Sequence, residues 1–434
     1  MKKGIISIFV LCICFSVNGQ SIDKIITGKE VSRIEKVLSA DDMQGRRTFT
    51  PGIDKASAFI ESEFKKAGLK PFMGASNFRQ EFSMTDSKAV SSKIIIDGKE
   101  IDNNKVVTFS YLPQVSLTEK SDIAVVKIGK GDNIGKKFNE YYKSPKSYLV
   151  LVDPSFNNVL PNIQHIDRIN SDPGTNTILF VFGVSEATTF SVELTNTISK
   201  KALNNVVGIL SGKSKPDEYV IFSGHYDHLG TGSPEEGVPH PAGDSIYNGA
   251  NDDAAGTTAV IMLANYFKKL KNNERTIIFT TFVAEELGGF GAKYFSKQLP
   301  ADKVIAMFNL EMIGTESKWG KNSAYITGFE KSNMGEILQK NLDKTSFKFY
   351  PDPYPEQQLF YRSDNATLAK LGVPGHTIST SKMDNEPNYH TADDEFETLD
   401  IENMTEIIKA VALSSMSIIS GKDTPSRVDT TQLK

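Results

Sequence analysis

The chain has 434 residues, and 49 Lys and Arg face 53 Asp and Glu for a formal net charge of −4. That balance offers no basic face to nucleic acid. Its two cysteines, Cys12 and Cys14, both lie near the start, so the rest of the chain has no disulfide, thiol nucleophile or cysteine metal ligand.

Residues 1–19 read as a signal peptide. Lys2 and Lys3 precede an apolar run over 5–17, and Val17, Asn18 and Gly19 form a small-residue cleavage site. The run is shorter than the roughly 20 residues that span a bilayer, and no other segment approaches that length. Lipid attachment at Cys12 is disfavoured by Leu11, which stands where a small residue is wanted. The product is expected to be exported, periplasmic or secreted, with no membrane span.

Residues 20–71 are assigned to the start of a main domain. Ala56, Phe59, Ile60, Phe64 and Ala67 recur at helical spacing, which predicts a helix over 54–68 stopped by Gly68. From 72 to 200 the texture changes. Short runs such as "KIIID", "DIAVVKI", "SYLVLVD" and "TILFVFG" alternate with Asn, Ser, Gly and Pro clusters, which predicts a separate β-rich domain. Over 201–421 strands and helices alternate. Strands are expected at "YVIFS", "TIIFTTFV", "KVIAMFNLEM" and "GVPGHTIS", and helices over 255–270, 291–298, 332–343 and 401–419. This predicts an α/β fold with a mixed, mostly parallel central sheet sandwiched by helices. Residues 422–434 read as a flexible polar tail.

Ligands of open α/β sheets bind beyond the carboxyl ends of the strands, and five clusters fall at or near such ends. "SGHYDHLG" carries His225, "GANDDAAG" Asp252, "VAEELGG" Glu285 and Glu286, "NLEMIG" Glu311, and "YHTADD" His390. Each has an ordinary structural reading alone: an aspartate pair before a helix is usually a cap. Together they crowd carboxylates whose burial without a cation costs several kcal/mol. Two imidazoles and three carboxylates, one of them bridging, suit two zinc ions.

These motifs, with "RSDNATLAKLGVPGHTIS" and the N-terminal "LSADDMQGRRTFTPGIDKASAFIESEFKKAGLKPF", resemble the di-zinc aminopeptidases, relatives of glutamate carboxypeptidase, the transferrin receptor ectodomain and glutaminyl cyclase. The position of the middle segment resembles that of the protease-associated domain inserted in many members. The resemblance implies that His225 and Glu311 hold one zinc and that His390 and Glu286 hold the other. Asp252 then bridges the two, with a cis bond to Asp253. Glu285 is implied as general base, and Asp227 as the partner that fixes the His225 tautomer. Glu311 stands where most members carry Asp, and Asn365 where His is commoner near the substrate. His228 reads as structural or pocket-lining, and His376 as core.

The resemblance implies an aminopeptidase acting on peptides. A glutaminyl cyclase-like acyltransferase, a carboxypeptidase needing cationic anchors, and a non-catalytic binding ectodomain are the alternatives. The sequence leaves the oligomeric state open.

Overall fold

The computed structural model describes residues 18–166, 168–233 and 238–433. Most of the expected signal peptide lies outside these residues. Among them, no helix is long and apolar enough to cross a membrane.

The architecture is the expected mixed α/β sandwich. Four strands form the parallel heart of the sheet, in the order Gly375–Ser379, Val304–Leu310, Lys215–His225 and Arg275–Phe282. Strand Arg275–Phe282 is buried along its whole length, which is why its sequence is continuously apolar rather than alternating. Antiparallel pairing joins strand Ser323–Ile326 to one side of this core and Phe190–Leu210 to the other.

Helix Ala255–Leu270 coincides with the expected 255–270 and is buried on nearly every face. It packs between the sheet and the N-terminal helices Gly28–Leu38 and Pro51–Ala67. Gly68 ends the latter in the left-handed conformation at φ 77°, which glycine adopts without a Cβ penalty. Phe222 stacks on Phe267, Phe279 and Phe308 at centroid distances of 5.6, 5.8 and 4.9 Å. This aromatic knot fixes the buried helix against three central strands, three residues before His225.

The middle segment differs from a separately hung domain. It has its own four-stranded sheet, Val106–Ser110, Thr177–Phe182, Tyr148–Val152 and Ala124–Ile128, and two helices, Ile134–Tyr142 and Leu160–Gln164. Yet the long strands Arg79–Ile96 and Phe190–Leu210 pair from Phe190↔Ile96 to Val206↔Arg79. They carry hydrogen bonding straight across the expected boundary at 200.

Three further features depart from the sequence reading. Helices Asn18–Ile25 and Gly28–Leu38 precede the expected one. The closing helix is two pieces, Ile401–Ser414 and Met416–Ile419. The tail is docked rather than frayed. The guanidinium of Arg427 donates to the Val304 carbonyl at 2.7 Å, and Val428 is buried.

Candidate metal centre

His225 is the last residue of its strand, while Glu285, Glu286 and Glu311 follow the ends of the two flanking strands. Asp252 and Asp253 sit in the irregular turn that opens helix Ala255–Leu270, and the bond between them is cis, as expected. His390 comes from the loop before the last helix, at φ 57°.

The sequence-predicted residues converge. His225 Nε2 lies 3.2 Å from Asp252 Oδ1, while His390 Nε2 lies 3.3 Å from Asp252 Oδ2 and 3.3 Å from a Glu286 oxygen. Two donors bound tetrahedrally to one zinc at 2.0–2.1 Å would stand about 3.3 Å apart. His225 Nε2 is buried and forms no hydrogen bond of good geometry although Asp252 Oδ1 is its neighbour, an arrangement that a cation shared by the two would satisfy. The donor set therefore fits zinc.

Electrostatics point the same way. Burial alone would lower the pKa of His225, but the carboxylates, Asp252 foremost, lift it well above the imidazole value. Burial acts likewise on His390, and hydrogen bonds to Asp252 and Glu286 raise it to about 10. Burial and the Asp252 charge push Glu286 up, yet bonds from His228 and His390 bring it down to about 2. Carboxylates held ionised beside imidazoles held protonated mark a site that stabilises positive charge.

Glu311 lies close enough to His225 and Asp252 for their charges to act on it, and burial raises its pKa. The Ser363 hydroxyl and Asn309 Nδ2 hold its Oε2. Glu285 faces a cavity of about 620 Å³. Burial first, then Glu311, Asp364 and Glu286, drive its pKa well above the carboxylate range against the opposing effect of His225.

Asp227 does a different job from the one the resemblance implies. Its carboxylate is 3.8 Å from His225 Nδ1, which instead meets the Asp227 backbone carbonyl at 3.1 Å. The carboxylate accepts the Glu285 and Glu286 amides at 3.1 and 3.3 Å. It thus sets the loop carrying both glutamates.

Several contributors escaped the sequence reading. His228 Nδ1 lies 2.8 Å from Glu286 Oε1, and His228, Asp252 and Glu286 place donor atoms within 4.8 Å of one another. Asp253 accepts the amides of His225, Gly256 and Met312, and Asp394 those of Asn251 and Asp252. Arg46 is fully buried and donates to the carbonyls of Leu38, Tyr226, Asn248 and Gly249. It ties the N-terminal segment to the loops bearing His225 and Asp252. The "DD" pairs at 252 and 393 held the only sequence signal for such anchors, and nothing local marks Arg46.

Asn365 and His376 lie elsewhere, as do His165 and Trp319. Asn365 is buried, donating to the carbonyls of Phe360 and Gly375 and accepting from Thr377, so it braces a loop instead of facing a substrate. His376 bonds Ser332 and the Thr327 carbonyl, and burial lowers its pKa to about 4. His165 is exposed at the end of helix Leu160–Gln164. Trp319 stacks on Tyr350 at 4.1 Å.

The fold is that of the zinc aminopeptidases. An aminopeptidase from Aneurinibacillus sp. strain AM-1 superposes with a TM-score of 0.57 at 18% identity, over 96% of this chain and 98% of that one. Residues 205–415 match the profile of peptidase family M28, and the segment so matched carries every candidate metal ligand, from His225 to His390. A probable leucine aminopeptidase of Trichophyton verrucosum is 25% identical over 49% of this chain and 56% of its own length. A probable zinc metalloprotease of Pyrenophora teres f. teres is 34% identical over 26% of this chain and 23% of its own. The chain thus spans about half the length of the first of these relatives and less of the second.

Proposed function

We propose that the chain is an exported di-zinc aminopeptidase. One observation carries the reading: the two oxygens of Asp252 face two different imidazoles, at 3.2 and 3.3 Å. One carboxylate addressing two donor sets is the arrangement of a bridged metal pair. His225 and Glu311 would hold one zinc, and His390 with Glu286 the other. The basic, apolar leader supports export, and the inserted position of the four-stranded unit supports a protease-associated-like role for it.

A bound zinc pair supplies an activated water and polarises the scissile carbonyl. The chain's own residues do the rest. Asp252 holds one oxygen toward each imidazole, so its orientation sets the spacing of the two donor sets. The Asp227 carboxylate fixes the Glu285 amide, which aims the Glu285 side chain into the cavity. There Glu285 takes the proton of the attacking water and returns it to the leaving amine nitrogen. Met312, Tyr325, Leu359, Met383 and Tyr389 line a small pocket beside Glu311, suited to an apolar side chain at the substrate's amino end. His228, bonded to one oxygen of Glu286, leaves the other for His390 and the cation.

The test is a peptide panel with free and acetylated amino termini, run on zinc-loaded protein with its metal content measured. Release of the first residue from free-amino peptides alone is expected. Release from the carboxyl end of acetylated peptides would instead assign a carboxypeptidase.

A further inference from the structure

The cavity in front of Glu285 changes character along its length. Its inner end carries carboxylates, Glu285, Glu286 and the buried Asp364. Its outer wall carries Lys293, Lys297, Lys370 and Arg362. Among the described residues none of these four cations appears in an ion pair. Lys293 donates to the Gly288 carbonyl at 2.6 Å, and Arg362 to the Gln357 side chain at 3.1 Å. Both acceptors are neutral. The middle segment adds Ser171 to the wall, and Lys143 of that segment is near enough to repel Lys293. Burial, then Lys370 and Lys143, lower the pKa of Lys293 despite Glu285 and Asp364 nearby. Cations that line one wall and are closed into no ion pair raise the potential there, as the effect of Lys370 and Lys143 on Lys293 shows, and an anion between them would lower it. At about 620 Å³ the space lies within the roughly 300–1,000 Å³ of small-ligand sites.

We propose that this wall is a carboxylate subsite for the leaving fragment, making short peptides with a free C-terminus the preferred substrates. The inference rests on the aminopeptidase reading. With the amino-terminal residue at the metal centre, the remainder of a di- to tetrapeptide extends past Glu285 toward the lysines. Its terminal carboxylate then meets the cations. A long or amidated peptide places no charge there unless it carries an acidic side chain at that distance.

Binding to zinc-loaded Glu285→Gln protein, measured by calorimetry at low and high salt, tests the idea without turnover. The probes are Leu-Gly-Gly, Leu-Gly-Gly-amide, Leu-Gly-Glu-amide and acetyl-Leu-Gly-Gly. Leu-Gly-Gly is expected to bind about tenfold more tightly than its amide, the scale of one charge-assisted contact, with the gap closing as salt rises. The double variant Lys297→Glu/Lys370→Glu, made in the same background, should abolish the gap and leave the amide's affinity alone. Recovery of tight binding by Leu-Gly-Glu-amide but not by Leu-Gly-Gly would make the ligand an acidic side chain and overturn the short-peptide preference. Equal binding of acid and amide, unchanged in the double variant, would overturn the subsite itself. Tight binding of acetyl-Leu-Gly-Gly would reverse the direction of the exopeptidase while retaining the subsite. Failure of every peptide to bind would overturn the peptidase reading, and this inference with it.

Discussion

Two regions of the molecule bury polar groups in opposite ways. Among the described residues between 79 and 200, the buried polar side chains are Thr85, Ser87, Ser110, Thr177 and Asn196. None of these carries a charge. The segment from 205 to 415 buries His225, Asp227, His228, Asp252, Asp253, Arg275, Asp364, His376 and Asp394. Both regions have apolar cores, so stability alone does not call for buried charge. Burying such a group costs several kcal/mol, and most of those between 205 and 415 surround the candidate centre or hold its loops, with Arg275 and His376 the exceptions. The contrast therefore sets the middle segment, with no buried charge among its described residues, apart from the segment that carries the candidate ligands.

The sharpest way to break the contrast is to remove its centre. Asp252→Asn should lose both zinc and activity, because a neutral amide is a poor bridge between two cations. Metal analysis beside a peptide assay checks this, and full zinc occupancy in the variant would contradict it. Glu285→Gln comes next. It should retain zinc and lose roughly 10²–10⁴ of the rate, the usual contribution of a general base. Activity near wild type with zinc bound would take that role from Glu285.

A milder effect separates buried carboxylates that serve the centre from one that does not. Glu35 is fully buried in helix Gly28–Leu38, accepts the Thr258 hydroxyl at 2.7 Å, and leaves its other oxygen without a partner. Burial raises its pKa from 4.5 to about 8. Between those values the native state keeps a proton that the unfolded chain has lost. The stabilisation is thus complete below about pH 4.5 and lost as pH rises through about 8. Glu35→Gln should remove this slope and gain on the order of 3 kcal/mol over wild type at pH 9, read from denaturant midpoints at both ends of the range. An unchanged slope would place the charge elsewhere. The smallest effect belongs to the other region: His165→Ala should alter neither zinc content nor rate, and a change in either would join that region to the chemistry.

Much of this was legible in the sequence because strand ends are. Apolar runs stopping at His225, Phe282 and Leu310 set the sheet and, with it, the neighbourhood of the site. Helix Ala255–Leu270 was legible from Val260, Leu263, Phe267 and Leu270, which recur at helical spacing. The anchors were not. Asp253, Asp394 and Arg46 act on backbone groups up to about two hundred residues away, and no local pattern encodes such partners. Asp227 shows the limit of resemblance: its carboxylate accepts from the amides of the glutamate loop and stands 3.8 Å from the His225 ring. The expected boundary at 200 falls inside a strand for a related reason. A long strand such as Phe190–Leu210 changes neighbours midway without changing its own alternation, so composition shifts where hydrogen bonding does not.

The central claim is that the two oxygens of Asp252 address two separate cations. Anomalous diffraction at the zinc edge from zinc-loaded crystals measures it directly. The account predicts two peaks about 3.5–4 Å apart, one within bonding distance of His225 Nε2 and Asp252 Oδ1, the other of His390 Nε2, Asp252 Oδ2 and Glu286. A single peak seated among His228, Asp252 and Glu286, with His225 unligated, would contradict it.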